Sequence, residues 1–562
     1  VHPHRPPRPL APRPRPRARG ARALAGAAAA AVLALAPAAA PAAEWTGRAS
    51  LHGRATGLRD LPGPALRYDV AARAFDLAGY LAPREDDPHG SLFAAVGVEG
   101  RLLGGALRLV LAADTGELRR RRFPELAAVC LARLDRTPAG LDVVGGGSCT
   151  LAGAAAPLPL EETRLGPSVV TANGRPVAEE GEATGFVREA YLAAAFGRAR
   201  FAELRAGRRR TAVGAGFVFD DYATGVEARA DLGAIGPPLD LSLALFFPTR
   251  EAPRLDARAS PMLALRVDLL PSLFEHAGVF AAVHRDRTGG VAELFRGAIV
   301  ERLVEVLGPL APGTLAYQTA SRTLAGVLAA PLESDATVAW LGATGTLAPW
   351  RGARLSFAAA LSEGRLDALD SPASESPRVA EDVALRGRMA HLRVEQDVHP
   401  RVSLSAFGLY LSGGELPVAR ERDPATGELL PASGTYRGFL GIAPFLTATN
   451  LFFGGGLSET FAARQASAPG VNGRGVAAAG LGLAWDPRDD LSLEVKTARL
   501  VAPVAGPGGG TAYGDEVDLL VTWAPRDWIV LGAEWDALAL GDFFPERGTV
   551  RKVVLAVDLV TP

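Results

Sequence analysis

Hydrophobic and polar residues alternate along much of the chain after residue 43, most plainly near its end. From Glu516 to Trp523, Val517, Leu519, Val521 and Trp523 share one face of an extended strand, and Glu516, Asp518, Leu520 and Thr522 the other. Past the turn Ala524-Pro525-Arg526-Asp527, Ile529, Leu531, Ala533 and Trp535 face one way and Val530, Gly532, Glu534 and Asp536 the other. Carboxylates aimed at hydrocarbon would cost several kcal/mol each, so the acidic face is expected to border a wet interior. No uninterrupted apolar run after Ala43 reaches the roughly 18 residues of a membrane-crossing helix. The pattern therefore predicts an all-β fold: a single transmembrane antiparallel barrel of about 18 strands, within a range of about 16 to 20.

One phrase is written twice. "AWDPRDDLSL", from Ala484, returns as "TWAPRDWIVL", from Thr522, and related turns stand at Val398-His399-Pro400-Arg401-Val402 and Ala348-Pro349-Trp350-Arg351-Gly352. Proline presets φ in a tight turn, and charged neighbours keep it in water. Trp485, Trp523, Trp528 and Trp535 form the expected aromatic girdle, at the depth where an indole keeps its ring apolar and its N–H wet. Longer polar or Gly/Pro-rich stretches fall between the tight turns, near residues 364–383, 412–435, 463–474, 501–512 and 539–548. Keeping short and long connections in alternation requires Tyr436 to Phe461 to be two strands turning at Thr447-Ala448-Thr449-Asn450.

Upstream, strands are expected near 66–82, 92–103, 105–115, 186–196, 200–210, 223–232, 240–247, 262–270, 276–285 and 337–347. Two long loops interrupt them, near 116–185 and 286–336. Within the second, "AELFRGAIVERLVEVLG" has helical spacing and predicts a short helix in an external or inward-folded loop.

Composition changes the picture at the start of the chain. Residues 1–42 carry seven arginines and no acid, then an apolar run from Ala23 to Ala36 and the small-x-small pattern Ala40-Pro41-Ala42. This predicts a signal peptide over 1–42, with 43–562 as the barrel of a Gram-negative outer membrane. Setting those arginines aside leaves 53 basic against 61 acidic residues, a formal charge of −8. An acidic exported chain is a poor partner for nucleic acid. Cys130 and Cys149 are expected to close one disulfide in the first long loop. No metal or cofactor site is expected, beyond a calcium-touching role for Asp220-Asp221 in a presumed external loop.

Candidate chemistry lies on the wet face. Glu203, Arg205 and Arg209 alternate with apolar residues on one predicted strand, Glu227, Arg229 and Asp231 on the next, and Arg266 with Asp268 repeats the mixture. Together with Glu516, Asp518, Glu534 and Asp536 these are the expected pore-lining residues, pairing across strands or offering a field to passing anions. Lysine occurs only at 496 and 552, so the arginine content also reflects a general preference for that residue. No G-x-S-x-G, H-E-x-x-H or P-loop signature points to an enzyme.

The segments "GRRRTAVGAGFVFDDYATGVEARADLG", "GFLGIAPFLTATNLFFGGGLSE" and "YGDEVDLLVTWAPRDWIVLGAEWDALALGDFFP" resemble the alginate-export family of outer-membrane proteins and its porin-like relatives. That resemblance implies a barrel of about eighteen strands passing an anionic polysaccharide, with Arg205, Arg209 and Arg229 as pore arginines. The expected function is thus passage of a hydrophilic, anionic or sugar-like solute across the outer-membrane lipid. The alternative is a plugged barrel acting as a scaffold.

Overall fold

The structure is a computed structural model. It describes residues 43–60, 87–115, 186–197, 200–234, 238–248, 260–269, 274–287, 289–311, 332–371, 378–418, 430–442, 448–453 and 470–561, with short pieces between them. The expected signal segment and both cysteines, Cys130 and Cys149, lie outside the described residues.

Eighteen strands form the wall in chain order. They are β1 (Glu44–Arg59), β2 (Asp87–Leu102), β3 (Leu107–Asp114), β4 (Phe186–Phe196), β5 (Ala202–Val213), β6 (Phe219–Asp231), β7 (Leu239–Phe247), β8 (Met262–Leu269) and β9 (Phe274–Asp286) in the first half. The second half comprises β10 (Glu333–Leu347), β11 (Ala353–Asp370), β12 (Arg378–His399), β13 (Val402–Leu411), β14 (Val476–Arg488), β15 (Leu491–Val501), β16 (Ala512–Arg526), β17 (Ile529–Leu540) and β18 (Thr549–Val560). Each pairs antiparallel with the next, and β18 returns to β1 in a register running from Ser50 opposite Val560 to Arg59 opposite Arg551. No helix among the described residues is long and apolar enough to cross a membrane.

The alternation sorts residues to the two sides of this wall. Leu204, Val226, Leu243, Leu265, Val279, Leu341, Leu361, Leu481, Val517, Leu519, Leu555 and Val557 are exposed on the outside. So large an unbroken apolar surface on a closed sheet is a lipid-facing belt. Short and long connections largely alternate. Short ones, from 400–401 to 232–238, join strands at one end, and the long ones, including 115–185, 287–332 and 412–475, at the other, where 214–218 between β5 and β6 is a short exception.

The repeated phrase makes the same irregularity twice. Trp485 opposes Leu493 and Arg488 opposes Leu491; Trp523 opposes Leu531 and Arg526 opposes Ile529. Both bulges contain a proline, 487 and 525, which has no N–H to give the ladder. The bulge leaves the flanking tryptophan exposed at the short-turn rim, where Trp523 Nε1 donates to Asp490 at 2.9 Å.

Two expectations fail. The described parts of residues 66–82 do not join the wall: they form a small hairpin, Arg67–Asp69 with Ala74–Asp76, and β1 takes the expected place in the wall. On its outer face β1 carries Trp45, Gly47, Ala49, Leu51, Gly53, Ala55 and Gly57, an alternation written mostly in small residues. Nor do the described residues of 436–461 make two strands. Ala432–Tyr436 pairs parallel with β12, and the described residues after it fold into the lumen without joining the wall. Loop 371–377 is also shorter than expected, because β11 and β12 run further.

The described parts of the 287–332 and 412–475 connections fill their end of the barrel. Helix α1 (Arg296–Leu307) lies where its spacing predicts, with Ile299, Val300, Leu303 and Leu307 buried. Phe295 meets Tyr436 edge-on at 4.8 Å, and inward wall residues such as Phe246, Met262, Trp340 and Leu385 complete one apolar cluster inside the lumen.

Leu481→Arg, in the outer belt, should lower stability by about 2 to 4 kcal/mol, the depth-dependent cost of a guanidinium in hydrocarbon. Denaturant unfolding of the barrel refolded in lipid vesicles measures this, and an unaffected midpoint would remove the lipid-facing assignment.

Candidate functional site

The lumen face of β5 to β8 is a charged ladder set by register. Glu203 opposes Arg229 and Arg205 opposes Glu227, while Ser242 stands between Arg229 and Arg266. Arg205 reaches Glu203 at 2.8 Å and Glu227 at 3.6 Å, and Arg209 reaches Glu227 at 2.9 Å. Arg229 lies 3.7 Å from Glu227, and Arg266 2.5 Å from Asp268. Nearer the short turns Asp231, Asp240 and Asp268 fall in one row, with Arg229 and Arg266 two residues above. The two members of a pair differ in what they show to water. The Arg229 side chain is 36% exposed against 9% for Glu227, and that of Arg266 44% against 11% for Asp268. Arg205 and Arg209 are mostly covered.

The acidic strands behave otherwise. Glu516, Asp518, Glu534 and Asp536 face inward, but they are at most 2% exposed and border no open lumen. Residues 449–453 and Leu457 lie over them. Glu516 accepts from the main-chain N–H of Leu451 at 2.6 Å and of Phe452, and from Thr449 Oγ1 at 2.9 Å. Asp518 accepts from Asn450 N at 2.9 Å, and Glu534 from Leu457 N. Charge-assisted bonds of this kind are about twice as strong as neutral ones.

The basic partners missing from the local sequence come from elsewhere in the chain. Lys552, on β18, reaches Glu534 at 2.6 Å, Asp536 at 2.9 Å and the carbonyl of Asn450 at 2.5 Å. Lys496, on β15, reaches Glu494 at 3.1 Å and Asn450 Oδ1 at 3.4 Å. Across the β1–β18 seam, Arg54 pairs with Asp558 and donates to Leu457 O at 3.0 Å, and His52 stands 2.8 Å from the same carboxylate. The sequence pattern singled out none of these residues. Inward alternation on β1 and β18 is the signal that would have found them.

A second polar knot ties the helix to the 412–475 connection. Arg474 pairs with Glu301 of α1 and reaches Glu415 at 3.0 Å, while Asn472 Nδ2 donates to Glu301 at 2.6 Å. Burial pushes the Glu301 carboxyl above the usual carboxylate range, further than Arg474 and Asn472 draw it down.

Among the expected girdle residues Trp485, Trp523 and Trp528 stand at the short-turn rim, and Trp535 lies mid-strand, opposite Leu519 and Val553. Asp220 and Asp221 belong to β6 and not to a loop, and Asp220 is held by Arg210 at 2.7 Å.

No protein-family model matches the chain, and no curated protein matches it. Solved outer-membrane structures do. The outer membrane protein OprD from Pseudomonas aeruginosa is 11% identical, covering 92% of this chain and 93% of its own, with a TM-score of 0.42. The BenF-like porin from Pseudomonas fluorescens Pf-5 is 8% identical, with coverage of 92% and 99% and a TM-score of 0.43. Pseudomonas aeruginosa OccK5 (OpdH) is 9% identical, with coverage of 92% and 98% and a TM-score of 0.42. None of the three is described as an alginate exporter, so that resemblance gains nothing from them. At such identity no residue role passes to this chain.

Arg474→Ala should cost about 3 to 5 kcal/mol, because Glu301 is left buried and unpaired. The loss should shrink in acid, since a carboxyl with a raised pKa sheds its charge there and becomes costly again as pH rises through that value. Unfolding in detergent at about pH 5 and about pH 7.5 separates the two. An equal loss at both would mean that Glu301 is not the group left stranded.

Proposed function

We propose that this chain is an outer-membrane channel for hydrophilic solutes that are anionic or sugar-like. The observation that carries the reading is the unequal exposure within the lumen ion pairs. Arg229 and Arg266 stand forward of Glu227 and Asp268, so a solute passing these pairs meets guanidinium before the paired carboxylate. A guanidinium presents several donors to a carboxylate or a sugar hydroxyl and holds its charge at any physiological pH. The solute is bound weakly and at several places along the wall, which permits entry and release without a chemical step. Because loops occupy their end of the lumen, a small solute fits the reading better than a polymer.

A second reading, the plugged scaffold, draws on that same apolar filling around α1 and Tyr436. The two differ in current.

In planar bilayers the proposal expects discrete conductance steps with a preference for anions. Replacing Arg229 and Arg266 together by alanine should lower the chloride-to-potassium permeability ratio by about twofold or more, since each supplies local field to the path. Absence of current across many insertions would favour the plugged barrel. A cation preference indifferent to both substitutions would remove the anion path.

A further inference from the structure

The segment over the acidic wall has an unusual kind of support. Its described residues 448–453 belong to no helix or strand, and their polar contacts run to wall side chains. Four carboxylates, two lysines and Arg54 hold it in place. The dependence is mutual. Without the segment's N–H groups, Glu516 and Asp518 would be charges in a dry site, which water would enter to solvate.

We propose that the described residues 448–453 together with Leu457 form a removable electrostatic cover, and that Lys552 is the residue that locks it and so sets which ions the lumen selects. With the cover seated, the four acids are sealed at 0–2% exposure and the charges offered to solutes are those of β5 to β8. With the cover lifted, Glu516, Asp518, Glu534 and Asp536 line a widened lumen against only two lysines on that wall. The balance then turns negative and cations are favoured.

Lys552 governs the step because it bridges both parties: its ammonium touches Glu534 and Asp536 on the wall and the Asn450 carbonyl on the cover. Neutralising it removes a bond to the cover and raises the repulsion among the acids beneath, two effects of the same sign.

This rests on the channel reading above, and the test keeps the two apart. The full-length barrel is studied in planar bilayers under a potassium chloride gradient. Lys552→Gln should raise single-channel conductance and shift the potassium-to-chloride permeability ratio upward by about threefold or more. The Leu457 side chain lies over Gly532, so Leu457→Cys with Gly532→Cys offers a covalent lock. Oxidised, that pair should return Lys552→Gln to wild-type selectivity, and reduction should release it again. If Lys552→Gln does not assemble, Thr449→Ala with Asn450→Ala loosens the cover while leaving the wall intact and should give the same shift. Conducting variants that keep wild-type selectivity would overturn the cover alone. A wild-type barrel that passes no current would overturn the channel and the cover together.

Discussion

The ladder between β1 and β18 is the constraint on which the rest of the wall depends. In hydrocarbon an unpaired strand edge leaves a row of N–H and C=O groups with nothing to bond, each costing several kcal/mol. Seventeen neighbouring pairs would leave two such edges; the eighteenth, from Ser50–Val560 to Arg59–Arg551, leaves none. Once the sheet is closed, every side chain has one of two fates, lipid or lumen, and the period-two pattern assigns it. Arg54 and Lys552 thereby become interior groups, while Ala55 and Val553, one residue further along their strands and on the other face, meet lipid.

Closure also creates a problem of volume, because a ring of eighteen strands encloses more space than its own side chains fill. The long connections supply the difference. Around α1 the filling is apolar, a core with Phe295, Leu303 and Tyr436 inside the ring. Beside β16 to β18 it is polar, and main-chain donors meet wall carboxylates. The two fillings obey different rules. The helix is held mainly by apolar packing, with the single buried Glu301–Arg474 pair beside it, whereas the covering segment is held by charged side chains and main-chain bonds throughout.

This division explains what could be read in the sequence. The alternation identified the barrel, its short turns and most strands, because lipid and water sort residues at every second position. It failed at β1, whose lipid face is written in glycine and alanine, and where small residues blur the contrast. It failed again in 436–461, whose described residues are mostly buried and so show no two-residue period. The ladder of β5 and β6 was legible because both partners of each pair sit in consecutive strands. The partners of Glu534 and Asp536 were not: Lys552 faces them from the next strand, but it stands among Val550, Val554 and Ala556 with no run of charge to mark a ladder, and Asn450 lies in a loop far upstream. The alternation put the acidic face opposite the outer belt, but it could not reveal that another part of the same chain covers that face and leaves it bordering no open lumen.

The choice of lysine at that point has a physical reason. The chain uses arginine almost everywhere it needs a cation, and its two lysines, 496 and 552, both reach toward Asn450. An ammonium is compact and donates three hydrogens from one atom, and Lys552 has three acceptors within 2.9 Å: Glu534, Asp536 and the Asn450 carbonyl. A guanidinium spreads five donors over a plane and would need a longer, flatter pocket than this 3% exposed site between two strands and a loop. Where charges meet in pairs along an open wall, arginine serves. Where one cation must join three oxygens on two separate parts of the chain, the geometry favours lysine, and it is this junction that couples the wall to the segment above it.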